Sequence, residues 1–179
     1  GNDLSALNKI TNPYTIAVSD TSANIATYLD ALQNQISHIA SITQSVKVGT
    51  LNITGAQYLN DQGALATLAK SGAYTLTVSK IGTSGLVSVN TDTHVTSFTI
   101  SDSAANLAAN FDRLNAIGSK LTSIQQNDAA PIAITYSQFT ADTSALSKLT
   151  GTYSLGIKNV LVANASALTS NSHVVNISL

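Results

Sequence analysis

The chain has 179 residues, of which 44% are hydrophobic, enough to bury a sizeable core and too many for a disordered segment. Only 9% are charged, the net charge is −1 and all nine acidic residues are Asp. A single arginine, Arg113, argues against nucleic-acid binding, the low charge against attraction to anionic membranes, and the lack of cysteine excludes disulfides and thiol chemistry. No run reaches the roughly 18 apolar residues of a membrane-spanning helix. Neither a signal peptide nor any methionine is present, so the sequence reads as an excised or processed piece.

In chain order, residues 1–13 read as the tail of a preceding unit, because Ser5-Ala6-Leu7-Asn8-Lys9-Ile10-Thr11 resembles Ser144-Ala145-Leu146-Ser147-Lys148-Leu149-Thr150. Tyr14 to Val18 alternates apolar and small polar residues, which favours a strand. Ser19-Asp20 is suited to cap a following helix, and Ile25, Leu29, Leu32 and Ile36 form one helical stripe. A strand at Ile39 to Thr43, a turn and a short strand at Leu51-Asn52-Ile53 follow. Thr54 with Gln57 three residues later has the spacing of a capping box. Leu59, Leu65 and Leu68 supply the next apolar face, Gly72 a C-cap, and Tyr74 to Val78 a strand. A shorter passage from Leu86 to Val95 leads to a strand at Ser97 to Ile100.

The order then starts again. Ala17-Val18-Ser19-Asp20-Thr21-Ser22-Ala23-Asn24-Ile25 returns 82 positions later as Thr99-Ile100-Ser101-Asp102-Ser103-Ala104-Ala105-Asn106-Leu107. Leu107, Phe111, Leu114 and either Ile117 or Gly118 repeat the stripe, Thr135 and Gln138 the capping box, and Phe139, Leu146 and Leu149 the second face. Gly151 matches Gly72, Tyr153 matches Tyr74 at a separation of 79, and Leu161 to Val174 leads to a last strand at Val175 to Leu179. Gaps fall in surface turns, at Val46 to Thr50 against Asp128 to Pro131, and at Lys80 to Asn90 against Asn159 to Ser170. Fixed-period self-similarity predicts a repeat architecture. The expected fold is α/β: a solenoid of strand–helix coils with a parallel sheet. Residues 14–95 form one repeat of about 80 residues and 96–179 a second, in one continuous solenoid domain. The alternative is a compact α/β domain of two duplicated halves.

Few residues suggest chemistry. His94 and His173 hold equivalent positions before a strand, while His38 answers to Lys120. With no His-x₃-His spacing or carboxylate partner, they read as turn residues at strand entrances. Asp20 and Asp102 follow Ser at helix starts, Asp30 and Asp112 face the same way on equivalent helices, and Asp142 lies early in the helix opened by Thr135. Capping and helix dipoles account for the helix-start aspartates, with calcium the competing ligand. An Asp pair for glycoside hydrolysis is the enzymatic rival. No EF-hand, nucleophile elbow, His-Glu-x-x-His or phosphate loop occurs. No residue is therefore assigned to a catalytic, cofactor-binding or metal site. Tyr74 and Tyr153 are expected in the core.

Val18-Ser19-Asp20-Thr21-Ser22-Ala23-Asn24-Ile25-Ala26, with Leu29-Asp30-Ala31-Leu32 and Gly72-Ala73-Tyr74-Thr75-Leu76-Thr77-Val78, resembles the Ser-Asp-Thr-Ala-Ala-Asn-Ile repeats of very large bacterial extracellular proteins. Many of those are secreted by the type I route and carry calcium-binding nonapeptide regions. The resemblance implies a bacterial, exported, repetitive surface or adhesin-like protein of which this is one repeat segment. With no catalytic constellation and a repeat pattern, the chain is expected to be non-enzymatic, a spacer or a unit that associates into layers or filaments. Its expected partners are itself or neighbouring repeats, with no nucleic acid and no membrane insertion. A module binding glycans or a host surface is the alternative.

Overall fold

The computed structural model describes residues 9–45 and 49–179. The expectations for Ser5 to Asn8 and for Val46 to Val48 fall outside those residues. The chain is α/β, with short helices alternating with strands that pair in parallel. Among the described residues, those up to 78 together with 93–96 make one compact unit, and 79–92 with 97–179 make another.

The first unit runs β1 (Ile16–Asp20), α1 (Ser22–Thr27), α2 (Leu29–Asn34), a 3₁₀ turn, β2 (Ile39–Gln44), β3 (Thr50–Thr54), α3 (Gly55–Asn60) and α4 (Gln62–Ser71), then the first part of β4 (Thr75–Ile81). β1 lies parallel to β2, and β3 lies beside β4. The second unit contains α5 (Leu86–Thr91), most of β5 (Val95–Asp102), α6 (Ala104–Ala109), α7 (Phe111–Ala116) and β6 (Leu121–Gln126). There follow β7 (Ile132–Thr135), α8 (Tyr136–Ala141), α9 (Thr143–Ser147), β8 (Leu149–Thr150), β9 (Leu155–Lys158), α10 (Val162–Leu168) and β10 (Val174–Ile177). Its strands pair in the orders β5–β6–β8 and β7–β9–β10.

The same elements recur at the spacing of the sequence match. α1, α2 and β2 reappear 82 positions on as α6, α7 and β6. Even an irregularity recurs: the β1–β2 register slips between Ile16 and Ala17, and the β5–β6 register between Phe98 and Thr99. Lys80 and Asn159, 79 apart, both adopt left-handed backbone, with φ of 56° and 58°. Buried side chains match as well. Ile25, Leu29, Leu32, Ile42, Leu51 and Ile53 fill the first unit, and Leu107, Phe111, Leu114, Ile124, Ile132 and Ile134 fill the second.

Four local expectations are corrected. The single helical stripe is two six-residue helices that meet at Tyr28, or at Asn110 in the second unit. The corner turns both helices so that the stripe stays inside. The N-caps are Thr21 and Ser103, one residue beyond Asp20 and Asp102, which end their strands. Leu59 is 45% exposed, because α3 ends at Asn60 and the phase of the stripe breaks there; Tyr58 is the inward residue. Gly151 follows β8 and ends no helix, although its φ of +73° still requires glycine's freedom. Both capping boxes form as expected, with Thr54 and Thr135 each bonded reciprocally to the Gln at N3.

Burial dominates this fold, so deleting a core ring is expected to outweigh deleting a cap. Urea unfolding should show a loss of about 3–5 kcal/mol for Phe111→Ala and about 1 kcal/mol for Thr135→Ala. Equal losses would contradict the packing described.

Candidate functional site

Three polar arrangements recur through the units. The first lies at the strand entrances. His38, His94 and His173 each stand immediately before a strand (β2, β5 and β10), where the sequence places them. Each imidazole lies flat on a tyrosine that precedes the neighbouring strand: His38 on Tyr14 with ring centroids 4.3 Å apart, His94 on Tyr74 at 4.3 Å, and His173 on Tyr153 at 4.0 Å. Tyr74 is buried and Tyr153 half-buried, and burial raises the Tyr153 phenol above its ordinary range. At β6 and β8 a lysine takes the same place. The Lys120 ammonium donates to the carbonyls of Asn90 and Asp92 at 3.1 and 2.9 Å, and Lys148 to those of Ile117 and Gly118 at 3.2 and 3.1 Å. The main chain of this entrance residue also starts the ladder: the His94, Lys120, Lys148 and His173 carbonyls accept from Leu76, Phe98, Ile124 and Leu155.

The second arrangement explains the most recognisable repeated motif. Asp20 Oδ1 accepts from the Thr21 N–H and from Asn24 Nδ2, both at 2.7 Å. Asp102 Oδ1 accepts from the Ser103 N–H at 2.8 Å and Asn106 Nδ2 at 2.7 Å. The motif is thus a two-residue cap in which Asp and Thr or Ser share the free amides of a helix start. Asp102 Oδ2 additionally accepts from the Thr83 N–H and Oγ1, both at 2.8 Å. Burial alone would raise the Asp102 carboxyl, but the bonds from Asn106, Thr83 and Ser103 outweigh it and hold the carboxyl below 3.8.

The third arrangement brings carboxyls together. Asp61 is the single residue between α3 and α4, and Asp142 the single residue between α8 and α9. Neither side chain caps the helix it precedes. That task is done from the preceding coil: Gln33 Oε1 accepts from the Ala64 N–H at 2.9 Å, and Asn115 Oδ1 from the Ala145 N–H at 3.2 Å. The long Gln33 reaches in over Gly63, where a Cβ would sit 3.0 Å from its Oε1; 81 positions on, the residue in place of Gly63 is Ser144 and the capping amide is the shorter Asn115. Freed from capping, Asp61 pairs with Asp30 on α2, and Asp142 with Asp112 on α7. Asp61 is 3% exposed and Asp142 8%, and in each Oδ2 has no hydrogen-bond partner. Burial first, then the hydrogen bond and charge of Asp30, push Asp61 up to about 6; burial and Asp112 push Asp142 the same way.

Sequence reading named Asp30, Asp112 and Asp142 but joined none of them and passed over Asp61. The available signal was that 61 and 142 are both Asp at a separation of 81. In each pair the hydrogen bond and charge of the exposed carboxyl act on the buried one. Among the described residues, no three His or Asp side chains gather as metal ligands. No helix among them is long and apolar enough to cross a membrane. No protein family, characterised protein or solved structure matches the chain.

A carboxyl held below its ordinary value stabilises the fold above pH 3.8 and loses that contribution as pH falls through its folded value. Asp102→Asn is therefore expected to destabilise the chain near neutrality and to shrink the difference from wild type in strong acid. Urea midpoints at about pH 7 and about pH 3 measure this. Gln33→Ala should cost about 1 kcal/mol at either pH, since its cap is uncharged.

Proposed function

We propose that the chain is a structural module: two α/β repeats stacked as a solenoid, used as a spacer or self-associating unit in a bacterial extracellular surface protein. The observation that carries this reading is the way one coil completes the next. Gln33 and Asn115 cap helices about 30 residues downstream, and Lys120 and Lys148 tie carbonyls about 30 residues upstream. Such side chains serve a stack. The extracellular setting rests on the resemblance of the Ser-Asp-Thr/Ser motif, and a non-enzymatic role on the structural uses found for its residues.

Self-association is favoured by the state of β10. Its residues occupy the positions of β5 at a separation of 79, so Val174, Ile177 and Leu179 answer to Val95, Phe98 and Ile100. Ile100 is 1% exposed and Leu179 72%. β5 is covered by its pairing with β6, whereas β10 lies at the edge of its sheet with Val175, Leu161 and Val162 also exposed. Unpaired strand edges carrying apolar side chains promote pairing with further chains. Light scattering on size-separated protein should show mass growing with concentration, and Val175→Lys should suppress that growth. A mass fixed at one chain over the whole range would refute self-association and leave the spacer role.

A further inference from the structure

The caps and entrance stacks stabilise the fold without needing any solute; the two carboxyl pairs do not explain themselves in that way. We propose that Asp30–Asp61 and Asp112–Asp142 are proton-operated clamps, each tightening a helix corner onto the preceding coil in mild acid and loosening it at neutral pH. This goes beyond the spacer reading and stands whether or not the chain self-associates.

The geometry calls for a positive occupant. Asp61 and Asp142 are buried with an unpartnered Oδ2 at the same helix corner, and an acidic partner acts on each. Two ionised carboxylates, which can only accept, repel unless a proton or a cation lies between them. Among the described residues, no cationic side chain acts on either buried Asp. In the first unit α2 carries Asp30 as its one titratable group, α3 carries Tyr58, β2 none, and α4 has Lys70 in its last turn, far from Asp61 at its start. In the second, α9 carries none, α8 has Tyr136, and α7 has Asp112 beside Arg113, whose side chain is exposed. The acidic partner is the charged group that acts on each buried Asp. Calcium takes about 6–8 oxygen ligands, and no third carboxyl or imidazole joins either pair among the described residues. A proton needs two oxygens and is met by two. Access is provided by Asp30 and Asp112, which are exposed while their partners are buried.

The position makes the proton mechanical. Asp61 and Asp142 are the corners between two helices, and the partners lie on the helix of the coil before. Sharing a proton pulls corner and helix together; removing it leaves two adjacent negative charges, one of them buried with an unbonded oxygen. The direction follows from the raised carboxyl. Stabilisation is complete below the ordinary 3.8 and is lost as pH rises through about 6. The presence of the same pair in both units gives the chain two such clamps.

The test is a carboxyl-carbon NMR titration of the wild-type chain, together with thermal unfolding of wild type and of Asp61→Asn/Asp142→Asn at about pH 4.5 and about pH 7.5, with and without calcium chloride. The expected results are an Asp61 signal titrating near 6, a wild-type Tm several degrees higher at the lower pH, and loss of that rise in the double variant. Asp61 and Asp142 titrating in the ordinary aspartate range would overturn the proposal. So would a calcium-induced rise in Tm at the higher pH that the double variant lacks, since the occupant would then be a metal ion. If the double variant does not fold, the wild-type titration decides.

Discussion

In a helix of six residues the four leading N–H groups and the four trailing carbonyls overlap, so almost nothing is satisfied within the helix itself. Nine of the ten α-helices among the described residues have seven residues or fewer, built from sequence that caps many of them from outside, and the other features follow from that constraint. Thr21, Ser103, Thr54 and Thr135 serve the starts from the residue before. Gln33 and Asn115 serve starts in the following coil, and Lys120 and Lys148 collect the carbonyls of turns in the preceding one. The short elements therefore hold only as a set, each finishing its neighbour.

Two consequences follow for the side chains. Polar groups that would be costly if buried alone become the joints between coils, which is why so uncharged a chain can leave few buried atoms without partners among its described residues. The two exceptions are Asp61 and Asp142. Both stand where an N-cap residue is expected, yet both are relieved of that duty by an amide from the preceding coil and turned toward another carboxyl. An orphan oxygen at the same place in both units is an energetic cost borne twice. Protonation removes most of it, and the clamp reading rests there.

The units also solve one problem in two ways. Where the capping amide is long, as in Gln33, the facing residue is Gly63 and leaves room; where it is short, as in Asn115, the equivalent position is Ser144. Where His38 stacks on Tyr14 before β2, Lys120 instead grips two carbonyls before β6. What the copies share is a place that must be tied down, met by apolar stacking in one case and by charge-assisted hydrogen bonds in the other.

Local chemistry was legible in the residues alone. Alternation located the strands, Thr54–Gln57 and Thr135–Gln138 announced their capping boxes, and the 82-residue return paired Ile25 with Leu107 and Leu32 with Leu114 as core positions. These depend on neighbours within about four residues, or on comparing the chain with itself. The corners at Tyr28 and Asn110, the exposure of Leu59 and the place of Gly151 were not legible, because a corner of one residue shifts helical phase without changing composition. The tyrosine–histidine stacks and the carboxyl pairs belong wholly to the tertiary structure. Their members lie 20 to 31 positions apart and meet only once successive strands pair in parallel and the helices above them pack. Sequence determined which side chains were available at each position of the repeat; the packing of each strand–helix segment on the next decided which of them would meet.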